Sequence, residues 1–128
     1  MIRSKCGGSA FRKREKLWGP HWGKINVNYK IDFRSIAWKT PIKGLRHKVM
    51  KQGPNQLRLV EYTKDMEPHW CEKGHIGYVL EGQFEIRFEK EVLVYNPGDG
   101  IFIPSGGGHK HMARVLSEIV NVIFVEDA

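Results

Sequence analysis

The stretch from Pro68 to Gly82, PHWCEKGHIGYVLEG, crowds His69, Cys71 and His75 into seven positions just ahead of an apolar run. The whole chain has six histidines and two cysteines, so this local density asks for a chemical reason. Imidazole nitrogen and thiolate sulfur together suit Zn(II) and Fe(II), and suit Mg(II) or Ca(II) less well. His69 and Cys71 are one residue apart, and in an extended chain residues i and i+2 project to the same face. Glu72-Lys73-Gly74 can turn the chain back and set His75 on the neighbouring strand, near Cys71. A second pair at i and i+2, His109 and His111, follows three glycines, and one of its members can close the site from across a sheet. His21 and His47 have no such company and read as surface or structural histidines. The competing reading of the cluster is a pair of hydrogen-bonded core histidines beside a buried, inert cysteine.

The elements that must position these groups are read from hydrophobic alternation. Ile25–Ile31, Leu57–Tyr62 and Phe84–Phe88 alternate apolar with polar, and Phe84, Ile86 and Phe88 share one face. Val92–Tyr95, Gly100–Pro104 and Ile119–Val125 complete the set of expected strands. Glu81-Gly82-Gln83 reads as a hairpin tip, and Asn96-Pro97-Gly98-Asp99-Gly100 and Ser105-Gly106-Gly107-Gly108 read as turns. Short period-two runs at this spacing predict an all-β sandwich or barrel. No segment keeps a helical period over three turns, although a short helical piece is compatible with Phe33–Trp38. Val79, Phe84, Ile86, Phe88, Ile101 and Ile103 are the expected core. Tyr78 and Phe102 belong to the opposite sheet face, and Trp70, alternating with the ligands, points away from them.

The two histidine segments resemble the paired motifs of the cupin superfamily, Gly-x5-His-x-His-x3-Glu-x6-Gly and Gly-x5-Pro-x-Gly-x2-His-x3-Asn. Here they run as His69-x-Cys71-x3-His75-x6-Gly82 and Gly98-x5-Pro104-x-Gly106-x2-His109-x3-Ala113. Tyr78-Val-Leu-Glu-Gly82 and Pro97-Gly98-Asp99 are also similar to common wording of that family. The departures are Thr63 for the opening Gly, Cys71 for the second His, His75 for the Glu and Ala113 for the Asn. The resemblance implies a double-stranded β-helix, or jelly-roll, cupin barrel over residues 25–128, with residues 1–24 as a basic tail. It implies the metal ligands His69, Cys71, His75 and His109, with His111 as the fallback. Exchanging Glu for His removes a negative charge and exchanging His for Cys restores it once the thiol ionises, so the site stays similar in charge and becomes softer. Zinc or iron is the cofactor this donor set implies.

Composition bounds the rest. At 128 residues the chain fits one domain, large enough to bury a core without staples. Two distant cysteines are not a disulfide framework, and no apolar run approaches a membrane span, so a cytoplasmic protein is expected. Residues 1–52 hold 14 Lys and Arg against two acids, whereas residues 53–128 hold seven against twelve, within a net charge of +7. A basic run is a charge footprint without a partner, and Phe11, Trp18 and Trp22 are too few and irregular for a stacking platform, so nucleic acid is not expected. The triple glycine lacks the Gly-Lys-Ser/Thr and helix start of a nucleotide loop. Two functions follow. One is a small Fe(II)- or Zn(II)-dependent enzyme, a dioxygenase, isomerase or lyase, acting on a small molecule. The other is a non-catalytic module that senses a ligand or redox state with a structural or sensory metal. No separate acid–base residue is singled out: Glu81 lies beside a turn, and Tyr62 and Tyr95 are proton donors by type alone. Exposed strand edges favour a homodimer.

Overall fold

Alternation becomes two antiparallel sheets in the computed structural model, which describes residues 26–128. The basic tail of residues 1–24, with Cys6, His21, Trp18 and Trp22, lies outside the described residues. A first 3-10 turn, η1 (Phe33–Ser35), is capped by Asp32, whose carboxylate accepts from the Arg34 amide at 3.0 Å. Nine strands follow: β1 (Lys39–Ile42), β2 (Leu45–Gln52), β3 (Asn55–Thr63), β4 (His75–Glu81), β5 (Phe84–Arg87), β6 (Val92–Tyr95), β7 (Gly100–Ile103), β8 (Met112–Val115) and β9 (Ile119–Asp127). A second 3-10 turn, η2 (Gly107–His109), precedes β8. No α-helix occurs among the described residues, and no helix there is long and apolar enough to cross a membrane.

The larger sheet has the order β1-β2-β3-β9-β4-β7 and the smaller β6-β5-β8. Their hydrogen-bonded ladders do not join, so the expected closed barrel is replaced by two sheets that meet through side chains. The core lies between them. Val60 and Tyr62 from β3, Val79 from β4 and Val120, Val122 and Phe124 from β9 meet Phe84 and Ile86 from β5 and Val115 from β8. The Tyr62 and Phe84 ring centroids are 6.1 Å apart across this layer. All six expected core residues belong here, Phe88 as a partly buried neighbour. Tyr78 and Phe102 are exposed on the outer face, as the alternation requires.

Two expectations are corrected. Residues 26–31 form no strand, because the Asn28 backbone is satisfied by the Gln52 side-chain amide (2.7 and 3.0 Å) in place of a ladder. Glu81-Gly82-Gln83 is no hairpin tip, because β4 and β5 belong to different sheets. Gly82 turns this corner at φ 85°, where a Cβ would lie 2.0 Å from the Ile119 carbonyl oxygen, so only glycine fits. The Asn96–Gly100 turn forms as expected, with the Asp99 carboxylate accepting from the Asn96 amide at 2.7 Å.

Candidate metal centre

Three segments deliver three side chains able to ligate a metal to one point. Cys71 and His111 form an isolated antiparallel bridge, exchanging both backbone hydrogen bonds at 2.8 and 2.9 Å. Residues directly opposite in such a pair project to the same side. His75 opens β4 on the same face as the buried Val79, so the period of two aims it inward. One ligand atom from each of Cys71, His75 and His111 lies within 4.8 Å of the other two. The two imidazoles meet edge to face, 5.2 Å between centroids. A cavity of about 230 Å³ opens onto this group and is also bounded by His69, Tyr62, Arg58 and Lys73.

Hydrogen bonding fixes which nitrogen each ring offers. The Nδ1 of His75 lies 2.5 Å from a carboxylate oxygen of Glu126. The Nδ1 of His111 lies 3.0 Å from the His109 carbonyl, and that of His69 lies 3.1 Å from the Glu67 carbonyl. These oxygens only accept, so Nδ1 carries the proton in all three rings and the Nε2 lone pair is left for a ligand. The Nε2 of His111 is buried and has no hydrogen-bond partner among the described residues. Such an orphan is costly unless something else binds it. Burial, chiefly, with the neighbouring His75 and His69, lowers the His111 pKa against the bond to the His109 carbonyl, which favours the neutral ligating form. Cys71 Sγ accepts from the Lys73 amide at 3.4 Å. Two imidazoles with Nε2 free, a third on the cavity wall and a thiol fit a zinc or iron ion in both donor type and proton placement.

Behind His75 stands a buried ionic network. Both oxygens of Glu126 are taken: Arg58 donates to them at 2.9 and 2.8 Å, and Gln56 donates at 3.0 Å. Burial alone would raise the Glu126 carboxyl, but the bonds from His75, Arg58 and Gln56 and the Arg58 charge outweigh it and hold the pKa at about 2. Arg58 reaches onward to His47 Nδ1 at 3.2 Å, which places His47 in this network and outside the group of Cys71, His75 and His111. Phe124 packs against the His75 ring, 4.7 Å between centroids. Tyr62 on the cavity wall is pushed up to about 12, chiefly by burial, and keeps its proton.

Of the four ligands implied by the sequence, the structure brings together Cys71 and His75, sets His69 on the wall of the same cavity and leaves His109 exposed at the end of η2. His111 takes the place beside Cys71. The cause is the glycine run. Gly106 at φ 123° and the bond from the His109 amide to the Gly106 carbonyl at 3.1 Å close a tight turn, and His109 and His111 no longer share the face of one regular strand. Trp70 is half-exposed outside the cluster, with the Lys110 ammonium 5.2 Å from its ring centroid. Sequence reasoning missed Glu126 and Arg58. The signal was present, since period two carried past Phe124 places Glu126 inward.

A family model described as a cupin domain matches residues 44–125. No curated protein sequence matches the chain. Among solved structures, KdgF from Halomonas sp. is 26% identical with a TM-score of 0.59, over 81% of this chain and 94% of that one. An RmlC-like cupin from Shewanella frigidimarina is 15% identical with a TM-score of 0.63, over 79% and 91%. A putative ethanolamine utilization protein from Salmonella typhimurium is 20% identical with a TM-score of 0.60, over 82% and 87%.

Proposed function

The chain belongs to the cupin domain family, and from that premise we propose that it is a metal-dependent domain acting on a small molecule. Its two sheets are read as the halves of a jelly roll, with Cys71, His75 and His111 as the ligands of one zinc or iron ion. The observation that carries the reading is the shared setting of the rings: each Nδ1–H is tied to an oxygen, and one of the free Nε2 atoms is buried with no partner among the described residues. Metal-ligating histidines have this second hydrogen bond almost without exception, and it raises their basicity. A divalent zinc or iron bound there supplies Lewis acidity toward a carbonyl or carboxylate oxygen.

The chain's own residues supply the rest of the enzyme reading. The cavity beside the triad gives a small molecule access. Arg58 and Lys73 on its wall donate to anionic oxygens, and Tyr62 holds a proton there. The finer choice between oxygenation, isomerisation and elimination rests on the metal and the substrate. The test is to reconstitute the protein with Fe(II) and add nitric oxide. A nitrosyl signal in electron paramagnetic resonance supports a position open to substrate, and its absence from fully loaded protein refutes the enzyme reading.

One observation favours the second reading. His69 faces the same cavity with its Nδ1 already engaged, and a shift of its ring toward Cys71 makes a fourth protein ligand. Four protein donors fill a tetrahedral zinc and leave a structural or sensory site. The same nitrosyl measurement separates the two, and His69→Ala should open a site that His69 closes.

A further inference from the structure

The inner face of the larger sheet continues past the metal centre as a second cavity of about 470 Å³. Arg58 and Lys73 belong to the walls of both cavities. Beyond them the second one is lined by Lys39, His47, Lys51 and Gln56, and no carboxylate among the described residues lines it. Register explains the grouping. Lys39 is opposite His47, Val49 opposite Arg58 and Lys51 opposite Gln56, which puts the cationic side chains on the face that elsewhere builds the core. No residue of the smaller sheet lines this stretch. The polar groups of β1, β2 and β3 therefore face an open groove.

Among the described residues the charge there is only partly compensated. Glu126 is the neighbouring carboxylate, and it is saturated by Arg58, Gln56 and His75. Lys73 lies 3.9 Å from it, and among the described residues neither Lys39 nor Lys51 is in a salt bridge. Arg58 has five N–H groups and spends three of them on Glu126 and His47, so two remain. Arg58 can only donate, so His47 Nδ1 accepts, and the proton of the neutral ring sits on Nε2 as one more donor. The groove offers donors and positive charge with no carboxylate of its own among the described residues.

We infer that this groove is an anion subsite for a phosphate or carboxylate group of a small molecule, whose other end reaches the metal centre. Binding of the anion rests on the groove alone. The link to the metal rests on the function proposed above. Arg58 and Lys73, common to both cavities, contact the part of the molecule between its two ends.

The test uses the full chain, with and without zinc. Amide and side-chain resonances are followed while inorganic phosphate, acetate or neutral glycerol is added, at low and at high salt. Phosphate or acetate should shift the groove resonances in a saturable, salt-weakened way without zinc present, and glycerol should not. The Lys39→Glu/Lys51→Glu variant should bind the anion at least about tenfold more weakly, because the potential reverses sign, while its metal content by mass spectrometry stays at the wild-type level. Response to phosphate alone or acetate alone names the group. If neither anion shifts the groove, if the variant binds as the wild type does, or if only a long polyanion such as an oligonucleotide binds saturably, the inference is overturned. Metal content is read separately. Loss of zinc binding with anion binding intact refutes the metal site and the two-ended ligand and leaves the subsite standing.

Discussion

Cys71 and His111 stand opposite one another across a single antiparallel bridge, each amide donating to the other's carbonyl at 2.8 and 2.9 Å. This one bridge ties the segment before β4 to the segment before β8 and brings a thiol and an imidazole to the head of β4, where His75 completes the group. It also separates two histidines that the sequence offers as near equivalents.

The first prediction concerns that pair. His111→Ala should weaken zinc binding by more than about a hundredfold, since loss of even an outer partner of a ligand costs about 10- to 100-fold. His109→Ala keeps its backbone carbonyl, the acceptor for His111 Nδ1, and should bind zinc as the wild type does. Competition with a chromophoric chelator measures both.

Glu126 is the second target. Glu126→Ala strips the partner from Arg58, whose side chain is only 12% exposed, and frees the His75 Nδ1 proton. Breaking a buried pair from one side costs about 3–5 kcal/mol, and the residual exposure of Arg58 points to the lower end. Urea unfolding of the metal-free variant should show a loss of about 3 kcal/mol with an unchanged slope. A change below 1 kcal/mol, in order-of-magnitude terms, would mean that the network is not what holds β9 to β3 here.

How much of this was legible depends on which side of a strand carries the signal. Phe84, Ile86 and Phe88 show their inward face, because polar residues occupy the other one. In Leu57–Tyr62 the alternation breaks at Leu59-Val60 and both faces carry apolar groups, so it does not say that Gln56, Arg58, Val60 and Tyr62 point in. Arg58 therefore stayed hidden, and with it the partner of Glu126. β2, LRHKVMKQ, is largely polar on both faces and gives no strand signal of its own; its eight-residue pairing with β3 defines it. That Cys71 and His75 come together was legible from their spacing and from the family resemblance. The choice of His111 was not, because it depends on the tightness of a glycine turn that the sequence permits without dictating.

A third prediction follows from Gly77. A Cβ there would lie 2.4 Å from the Ile123 carbonyl and 2.6 Å from a ring carbon of Phe124, the residue stacked on His75. Gly77→Ala should displace that ring, destabilise the fold by about 1–3 kcal/mol and weaken metal binding by shifting His75. Gly108→Ala, with nothing within 4 Å of the added carbon, is the control and should leave metal binding unchanged.

Tyr62 sets the alkaline limit. Burial pushes its hydroxyl up from 10.0 to about 12. The unfolded chain loses this proton from about pH 10 upward while the folded chain holds it, so stability falls as pH rises between 10 and about 12. Tyr62→Phe should lose less stability than the wild type over that window, read from urea midpoints at each pH. Equal losses in the two proteins would show that Tyr62 ionises freely in the fold.

The central claim is that Cys71, His75 and His111 hold one metal ion, and Co(II) reconstitution of the full chain tests it most directly. The account predicts one equivalent bound, an intense sulfur-to-metal charge-transfer band, and loss of that band in Cys71→Ser. A wild-type protein that takes up no cobalt, or a spectrum unchanged by Cys71→Ser, would contradict it.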